Sequence, residues 1–304
     1  MESLSLLRLL VGIIFLGYAS YSDLKTRRVD NKVWILFGLV GLMILAYDLL
    51  NRSEVVWAHY LIFIPAGVMY FDVYLDREPI FDDEGFHFEP IGILFIAIVV
   101  LVLAYQGYVL YDNPGQRELF LQTATIPAMI ILAHIFFQSG LLKGGADAKA
   151  LMALAVLVPF YPNWYGFPLV QVNSQIITVL FPFALVVLMN SAILMIFVPL
   201  VYLSINVRRG SIKMPQCFLG YKVNLDNFPK HVWLMEKAEN GEVRTVLFPR
   251  RGGDMEKEVE ALKGIGREQA WVTPQLPFMV PMFLGLIASF FIGNFILALM
   301  NLIF

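Results

Sequence analysis

The sequence predicts an all-α polytopic membrane protein of about eight transmembrane helices, with a small α+β cytoplasmic loop domain. Hydrophobic residues make up 59% of the 304 residues and charged residues only 15%, whereas a soluble domain carries about a quarter charged residues. The apolar residues fall in blocks about twenty residues long, which as helix can cross a hydrocarbon core of roughly 30 Å. The blocks lack the period-two alternation of barrel strands, and this favours helices.

Eight apolar blocks define the predicted spans, and they are 3–22, 33–50, 55–75, 90–111, 119–142, 149–161, 173–204 and 271–303. The first block is predicted to be a retained span, because Arg8 interrupts it and no small-residue cleavage site closes it. The sixth block is short, and the last two are longer than one span requires. These spans divide the chain into a membrane domain over 1–204, a soluble loop domain over 205–270 and a final transmembrane helix over 271–304.

The loop domain is predicted to contain both helix and strand. Residues 231–248 form two β-prone runs on either side of Asn240-Gly241, which is typical of a hairpin with a tight turn. Residues 254–263 are predicted to form a short charged helix, with Asp254 as its cap. A domain of this size is expected to be an appendage rather than a separate enzyme site.

The distribution of Lys and Arg predicts that the N-terminus lies outside the cell membrane. With this orientation, 19 of the 22 basic residues fall in loops on the cytoplasmic side, in agreement with the positive-inside rule. The outer loops contain only Arg52 and Arg117, and Arg8 lies within the first span. The loop domain over 205–270 is therefore predicted to be cytoplasmic.

Asp23 and Asp147 are the candidate catalytic residues. Asp23 ends the first span and Asp147 opens the sixth, so both lie at cytoplasmic helix ends and at a similar depth. A charged group at membrane depth is costly and therefore indicates function. Two neighbouring carboxyl groups hold one proton between them, and such a pair supplies a base to activate water and an acid to protonate a leaving amine. Gly144 and Gly145, followed by Ala146, let another backbone approach where a Cβ would clash.

Three segments resemble the archaeal prepilin and preflagellin peptidases, which are grouped with presenilin as GxGD-type intramembrane aspartic proteases. Residues 144–147 (GGAD) resemble the glycine motif of that group, and residues 23–31 (DLKTRRVDN) resemble the D-x-[KR]-x-R-x-[IV]-x-N segment after the first span. Residues 272–281 are similar to the Pro-rich start of the last span. The resemblance implies a type IV prepilin peptidase-like enzyme that removes class III signal peptides from pilin or archaellin precursors at the cytoplasmic face.

The resemblance also implies which residues and partners take part. Asp23 and Asp147 would form the catalytic pair. The candidate substrate-site residues are Lys25, Arg28, Asn31, Pro274 and Pro277. The expected partners are prepilin- or prearchaellin-like membrane substrates and the lipid bilayer, whereas the net charge of −2 provides no basic field for nucleic acid. No cofactor and no metal are expected, and the oligomeric state stays open.

The chain departs from the family in two respects. Its single cysteine, Cys217, excludes the cysteine pairs of bacterial prepilin peptidases and favours the archaeal branch. An additional helical hairpin is predicted between the third span and residues 144–147. The expected architecture is therefore a six-helix family core plus this extra hairpin.

Other functions stay open at this point. A presenilin-like or signal-peptide-peptidase-like protease would pair Asp147 with Tyr111-Asp112, although the topology places Asp112 at the outer end of the fourth span. A non-proteolytic transporter would use Asp23, Asp72 and Asp147 as an ion or proton path, but such paths lie nearer the bilayer midplane. Each aspartate taken alone also fits a helix cap.

Overall fold

The computed structural model of the chain is mostly helical, with short strands concentrated toward the C-terminus. It describes residues 2–75, 81–82, 85–86, 90–142, 144–172, 174–239, 241–247, 249 and 254–303. Two units can be distinguished. The helical unit comprises Met1–Ala192 and Pro277–Phe304, and the sheet unit comprises Ile193–Leu276.

Helices account for most of the chain, and all the strands are short. The helices are α1 (Glu2–Thr26), α2 (Asn31–Leu50), a 3-10 helix (Trp57–Ile62), α3 (Phe63–Asp72), α4 (Pro90–Leu110), α5 (Pro114–Gln138), α6 (Gly145–Leu157), α7 (Gln175–Leu180), α8 (Phe183–Met195), α9 (Val198–Arg208), α10 (Gln216–Leu219), α11 (Met255–Gly264), α12 (Met279–Phe291) and α13 (Phe295–Ile303). The strands are β1 (Phe81–Asp82), β2 (Gly85–Phe86), β3 (Tyr221–Asn224), β4 (Val232–Leu234), β5 (Glu236–Glu239), β6 (Glu242–Thr245) and β7 (Gln269–Pro274).

The predicted number of eight spans is not confirmed. Among the described residues, five segments are long and apolar enough to cross a membrane: α1, α2, α4, α5 and Phe183–Arg208, which contains α8 and α9. The third predicted block is divided between the 3-10 helix and α3. Helices α6 and α12 have 13 residues each, which is shorter than the ~20 residues that a full span needs.

The predicted final helix over 271–304 starts too early. Strand β7 occupies its beginning and lies between β3 and β4 in a three-stranded antiparallel sheet, so that α12 starts only at Met279. Ala270, Trp271 and Val272 are buried within the sheet unit. These residues are therefore apolar because they lie in a buried strand. A short apolar run does not by itself distinguish a strand from a helix.

The predicted hairpin is present in the sheet unit. Strands β5 and β6 are antiparallel, and Glu239 is paired with Glu242, which leaves a two-residue connection. Its first residue, Asn240, lies outside the described residues, and Gly241 has a φ of +81°, which glycine adopts without steric cost. The predicted helix in this unit is α11, and the Asp254 side chain caps it as expected.

Helix α6 occupies the centre of the helical unit. Its residues are buried from Asp147 to the C-terminal end except for Lys149, and an apolar surface all round is typical of a helix enclosed by others. Helices α2 and α5 pack against it. A close approach occurs at Gly41 of α2, where an added Cβ would lie 3.2 Å from the backbone nitrogen of Leu157. This packing holds the N-terminal turn of α6, with Asp147, inside the unit.

Candidate active site

Asp23 lies in the last turn of α1, next to the start of α12. One turn earlier, Ser20 Oγ donates a hydrogen bond of 2.9 Å to the backbone oxygen of Met279. The backbone of Met279 in turn hydrogen-bonds to the Asp23 side chain. The segment over 272–281, which the sequence singled out near the end of the chain, therefore reaches the first motif through Met279.

An unusual backbone turn follows Asp23. Arg27 has a φ of 57°, in the left-handed region that residues other than glycine rarely occupy. Ser22 Oγ and Thr26 Oγ1 both donate to the backbone oxygen of Arg28, at 2.8 and 3.0 Å, and these bonds hold the turn. The positive charge of Arg27 acts on Asp23, and its buried Nε has no hydrogen-bond partner among the described residues.

Asp147 lies in the first turn of α6, with only 8% of its surface exposed. The backbone of Gly144 hydrogen-bonds to its side chain, and a Cβ added to Gly144 would lie 2.6 Å from Asp147 Oδ2. A larger residue at position 144 would therefore collide with the Asp147 carboxylate, which explains why glycine occupies this position. Gly145 is less constrained, because a Cβ there would contact the Phe137 ring at an ordinary 3.8 Å. Ala146 packs against the core of the helical unit.

The structure brings Asp23 and Asp147 to the same end of the helical unit. Helix α1 contacts α6, and the charge of Asp23 acts on the Asp147 carboxyl group. Lys149 Nζ also donates a hydrogen bond of 2.7 Å to Asn31 Oδ1, which joins the start of α2 to α6. Two carboxyl groups in this relation can provide an acid and a base within one site.

The other predicted site residues have separate surroundings. Lys25 and Arg28 are exposed, and Lys25 Nζ lies 5.8 Å from the centre of the Tyr21 ring. Pro274 ends β7 in the sheet unit, where it is paired with Val232. Pro277, in contrast, belongs to the helical unit. Of the predicted substrate-site residues, Asn31 is the one with a hydrogen bond to α6 among the described contacts, through Lys149.

Ser20, Arg27 and Lys149 were not predicted as site residues from the sequence. A signal for Arg27 was available, because it follows Asp23 by four residues and occupies the Arg position of the D-x-[KR]-x-R pattern. Lys149 is paired with Asn31 across 118 residues, and the bond from Ser20 to α12 spans 259 residues. Neither contact leaves a local pattern in the sequence.

Two further aspartates lie away from this site. Asp112 is exposed just before α5, at the opposite end of that helix from the turn that carries Asp147. Asp48 lies in the last turn of α2 and is 2% exposed. Its carboxylate is 2.7 Å from Arg8 and 2.9 Å from Arg52, and both guanidinium groups lie over the Phe160 ring. Asp48 is thus part of a buried ion cluster.

Several archaeal preflagellin peptidases are similar in sequence to this chain. A preflagellin peptidase of Methanocaldococcus jannaschii is 28% identical over 217 residues, covering 69% of this chain and 88% of the relative. A preflagellin peptidase of Methanococcus voltae is 23% identical over 297 residues, covering 95% of this chain and 96% of the relative. A third, from Methanococcus maripaludis, is 22% identical over 296 residues with the same coverage.

Family models match two parts of the chain. Residues 212–295 match the family described as archaeal peptidase A24 C-terminus type II. Residues 10–201 match the type IV leader peptidase family, and this region includes α1, α6 and both candidate aspartates. This second match covers well over half of the chain. The chain therefore belongs to the type IV leader peptidase family.

Proposed function

We propose that this protein is a membrane aspartic endopeptidase that cleaves class III signal peptides from pilin- or archaellin-type precursors at the cytoplasmic face of the membrane. The observation that carries the proposal is that Asp23 and Asp147, two residues 124 positions apart in sequence, lie near enough for the charge of Asp23 to act on the Asp147 carboxyl group. The relatives named preflagellin peptidases support the substrate class.

In the proposed reaction the Asp23–Asp147 pair holds one proton. The ionised carboxylate accepts a proton from a water molecule, whose oxygen attacks the carbonyl carbon of the scissile peptide bond. The protonated carboxyl group hydrogen-bonds to the carbonyl oxygen, and a proton passes to the leaving nitrogen as the C–N bond breaks. Gly144 supports this chemistry by leaving space beside the Asp147 carboxylate.

We assign supporting roles to residues around the pair. Lys25 and Arg28 are exposed on the segment that follows Asp23, where they can contact a bound leader peptide. Asn31 holds Lys149 on α6. Pro274 and Pro277 flank the short connection into α12, and proline there limits both the strand before it and the helix after it.

The proposed topology has the N-terminus outside and both aspartates inside. In this arrangement the loop domain over 205–270 is cytoplasmic, and α4 and α5 form the extra hairpin beside the family core. The bias of 19 of 22 basic residues toward the inner loops supports this orientation. The alternative presenilin-like pairing has less support, because Asp112 lies at the end of α5 remote from Asp147.

An in-vitro cleavage assay with a detergent-solubilised preflagellin-type precursor tests the proposal. Asp23→Asn and Asp147→Asn should each reduce the cleavage rate at least about a hundredfold, since each removes one partner of acid–base catalysis. Asp112→Asn is the matched control, because this aspartate is exposed at the other end of α5, and it should cut at the normal rate. Size-exclusion profiles must match the wild type for all three variants.

Two results would contradict the assignment. If Asp23→Asn or Asp147→Asn cleaves at the wild-type rate, the two residues do not form the catalytic pair. If Asp112→Asn loses activity together with Asp147→Asn, the Tyr-Asp pairing of the presenilin type replaces it.

A further inference from the structure

The surface of the helical unit contains an apolar groove between α3, α4 and α5, called here the α3–α5 groove. Its volume is about 830 Å³. Most of its lining is aliphatic or aromatic, and examples from the three helices are Met69, Phe95, Val100 and Ile131. Val100 and Ile131 are exposed, so the groove is open along its length to a ligand that arrives within the bilayer.

The polar lining of the groove is gathered toward one end. Asp72 is the last residue of α3, and Gln138 and Ser139 lie where α5 ends. All three line the groove together with His134, one turn earlier in α5. The groove is therefore apolar over most of its length and polar where α3 and α5 end.

This polar end adjoins the candidate active site. Tyr74, two residues after Asp72, has its ring 5.4 Å from Lys149 Nζ, and Lys149 follows Asp147 by two residues. On the other side of the groove, Phe137 of α5 packs at Gly145. Both walls of the groove thus lead to the N-terminal turn of α6.

We infer that the α3–α5 groove binds the hydrophobic helix of the precursor substrate and delivers the adjoining peptide bond to Asp23 and Asp147. The inference rests on the proposed function, since it specifies where that substrate sits. A membrane helix whose scissile bond lies at the cytoplasmic face has an apolar body and, by the positive-inside rule, basic residues at that end. The apolar wall of the groove suits the apolar body of the helix, and its polar end, which adjoins the N-terminal turn of α6, suits the polar segment that follows.

The groove can be filled without altering the catalytic pair. Ile131→Trp and Val100→Trp place a large ring in the groove from two different helices. Leu36→Trp is the matched control, because Leu36 is also exposed and apolar but belongs to α2. Two substrates are compared: a full preflagellin-type precursor, and a water-soluble peptide that has the same cleavage sequence but lacks the hydrophobic helix.

The groove variants should lower kcat/KM for the full precursor by about tenfold or more, mainly through a higher KM, because they remove binding that this substrate alone uses. Cleavage of the short peptide should be unchanged, and Leu36→Trp should leave both substrates unaffected. Normal cleavage of the full precursor by both groove variants overturns the inference. An equal loss on both substrates also overturns it, since that pattern indicates damage to the site rather than lost docking.

Photocrosslinking provides a second test. A benzophenone amino acid at position 131 in the Asp147→Asn background should form an adduct with the full precursor, and the same group at position 36 should not. Adducts with lipid alone at position 131 mean that acyl chains occupy the groove, and they refute substrate docking. If the wild type cuts neither substrate, it is the proposed protease function itself that fails.

Discussion

Lys149 Nζ and Asn31 Oδ1 are 2.7 Å apart, and this hydrogen bond connects the two sequence motifs that contain Asp23 and Asp147. Lys149 also faces the ring of Tyr74, which lies just after α3. The residue that sequence analysis assigned to substrate binding, Asn31, is thus engaged with the protein's own α6. This bond ties the start of α2 to the N-terminal part of α6.

Asn31→Ala should lower kcat about three- to tenfold with little change in KM. A hydrogen bond to a charged group contributes roughly 1.5–3 kcal/mol, and because this bond is exposed to solvent we expect an effect below that range. Asn31→Asp keeps an acceptor and should retain most activity. Asn51→Ala is the control, since Asn51 makes a 2.7 Å bond at the other end of α2. A raised KM with unchanged kcat in Asn31→Ala would instead indicate direct substrate contact.

Asp48→Ala should destabilise the helical unit by about 3–5 kcal/mol, because it leaves the buried Arg8 guanidinium without its carboxylate. Chemical unfolding in detergent micelles measures the difference. The control is Glu239→Ala, which removes an exposed pair with Arg244 and should cost at most about 1 kcal/mol. Equal effects of the two substitutions would mean that the Asp48 cluster is hydrated rather than buried.

Gly38→Ala should destabilise the protein by about 1–3 kcal/mol through overpacking. A Cβ at Gly38 would lie 2.1 Å from Cε1 of Tyr70, a fully buried ring whose hydroxyl donates to the Trp34 backbone oxygen at 2.6 Å. Gly67→Ala is the paired control in α3, where nothing lies within 4 Å of the added Cβ. It should be neutral or stabilising by up to about 1 kcal/mol. Thermal unfolding of the two variants side by side checks the opposite signs.

Asn190→Leu should destabilise the packing of α8 against the break between α12 and α13. Asn190 is fully buried; its Nδ2 donates to Ser289 Oγ at 2.9 Å and to the Gly293 oxygen at 2.8 Å, and its Oδ1 accepts from the Phe295 backbone at 3.1 Å. Leaving those buried groups unpaired costs about 1–3 kcal/mol each. Asn224, which is exposed at the end of β3, offers the control, and Asn224→Leu should change the unfolding midpoint far less. A similar shift for both would count against the buried network.

Features that depend on neighbouring residues were predicted from the sequence. The cap at Asp254, the hairpin that includes Gly241 and the long apolar helices α1, α2, α4 and α5 all follow from local composition and spacing. The predicted start of the last helix was wrong because Ala270–Val272 belong to a buried strand. That strand pairs with residues nearly 50 positions earlier in the chain. Periodicity within a short run does not contain that information.

In the candidate site, too, local motifs were predicted from the sequence and contacts between distant segments were not. Asp23, Asp147 and Gly144 were selected from motif spacing, and the structure places all three at one end of the helical unit. The contacts of Ser20 with Met279 and of Lys149 with Asn31 were not predicted, since they join segments that are far apart in the chain. Arg8 was assigned to the first span without a partner for the same reason, because Asp48 lies 40 residues later.

The contact between Met279 and Asp23 has a consequence for biosynthesis. A chain is made from its N-terminus, so Asp23 leaves the ribosome early, whereas Asp147 and Met279 follow 124 and 256 residues later. A nascent chain that has not yet reached α12 therefore lacks one wall of the site. If Asp23 belongs to the proposed catalytic pair, its surroundings are complete only after α12 has been made and has packed against α1.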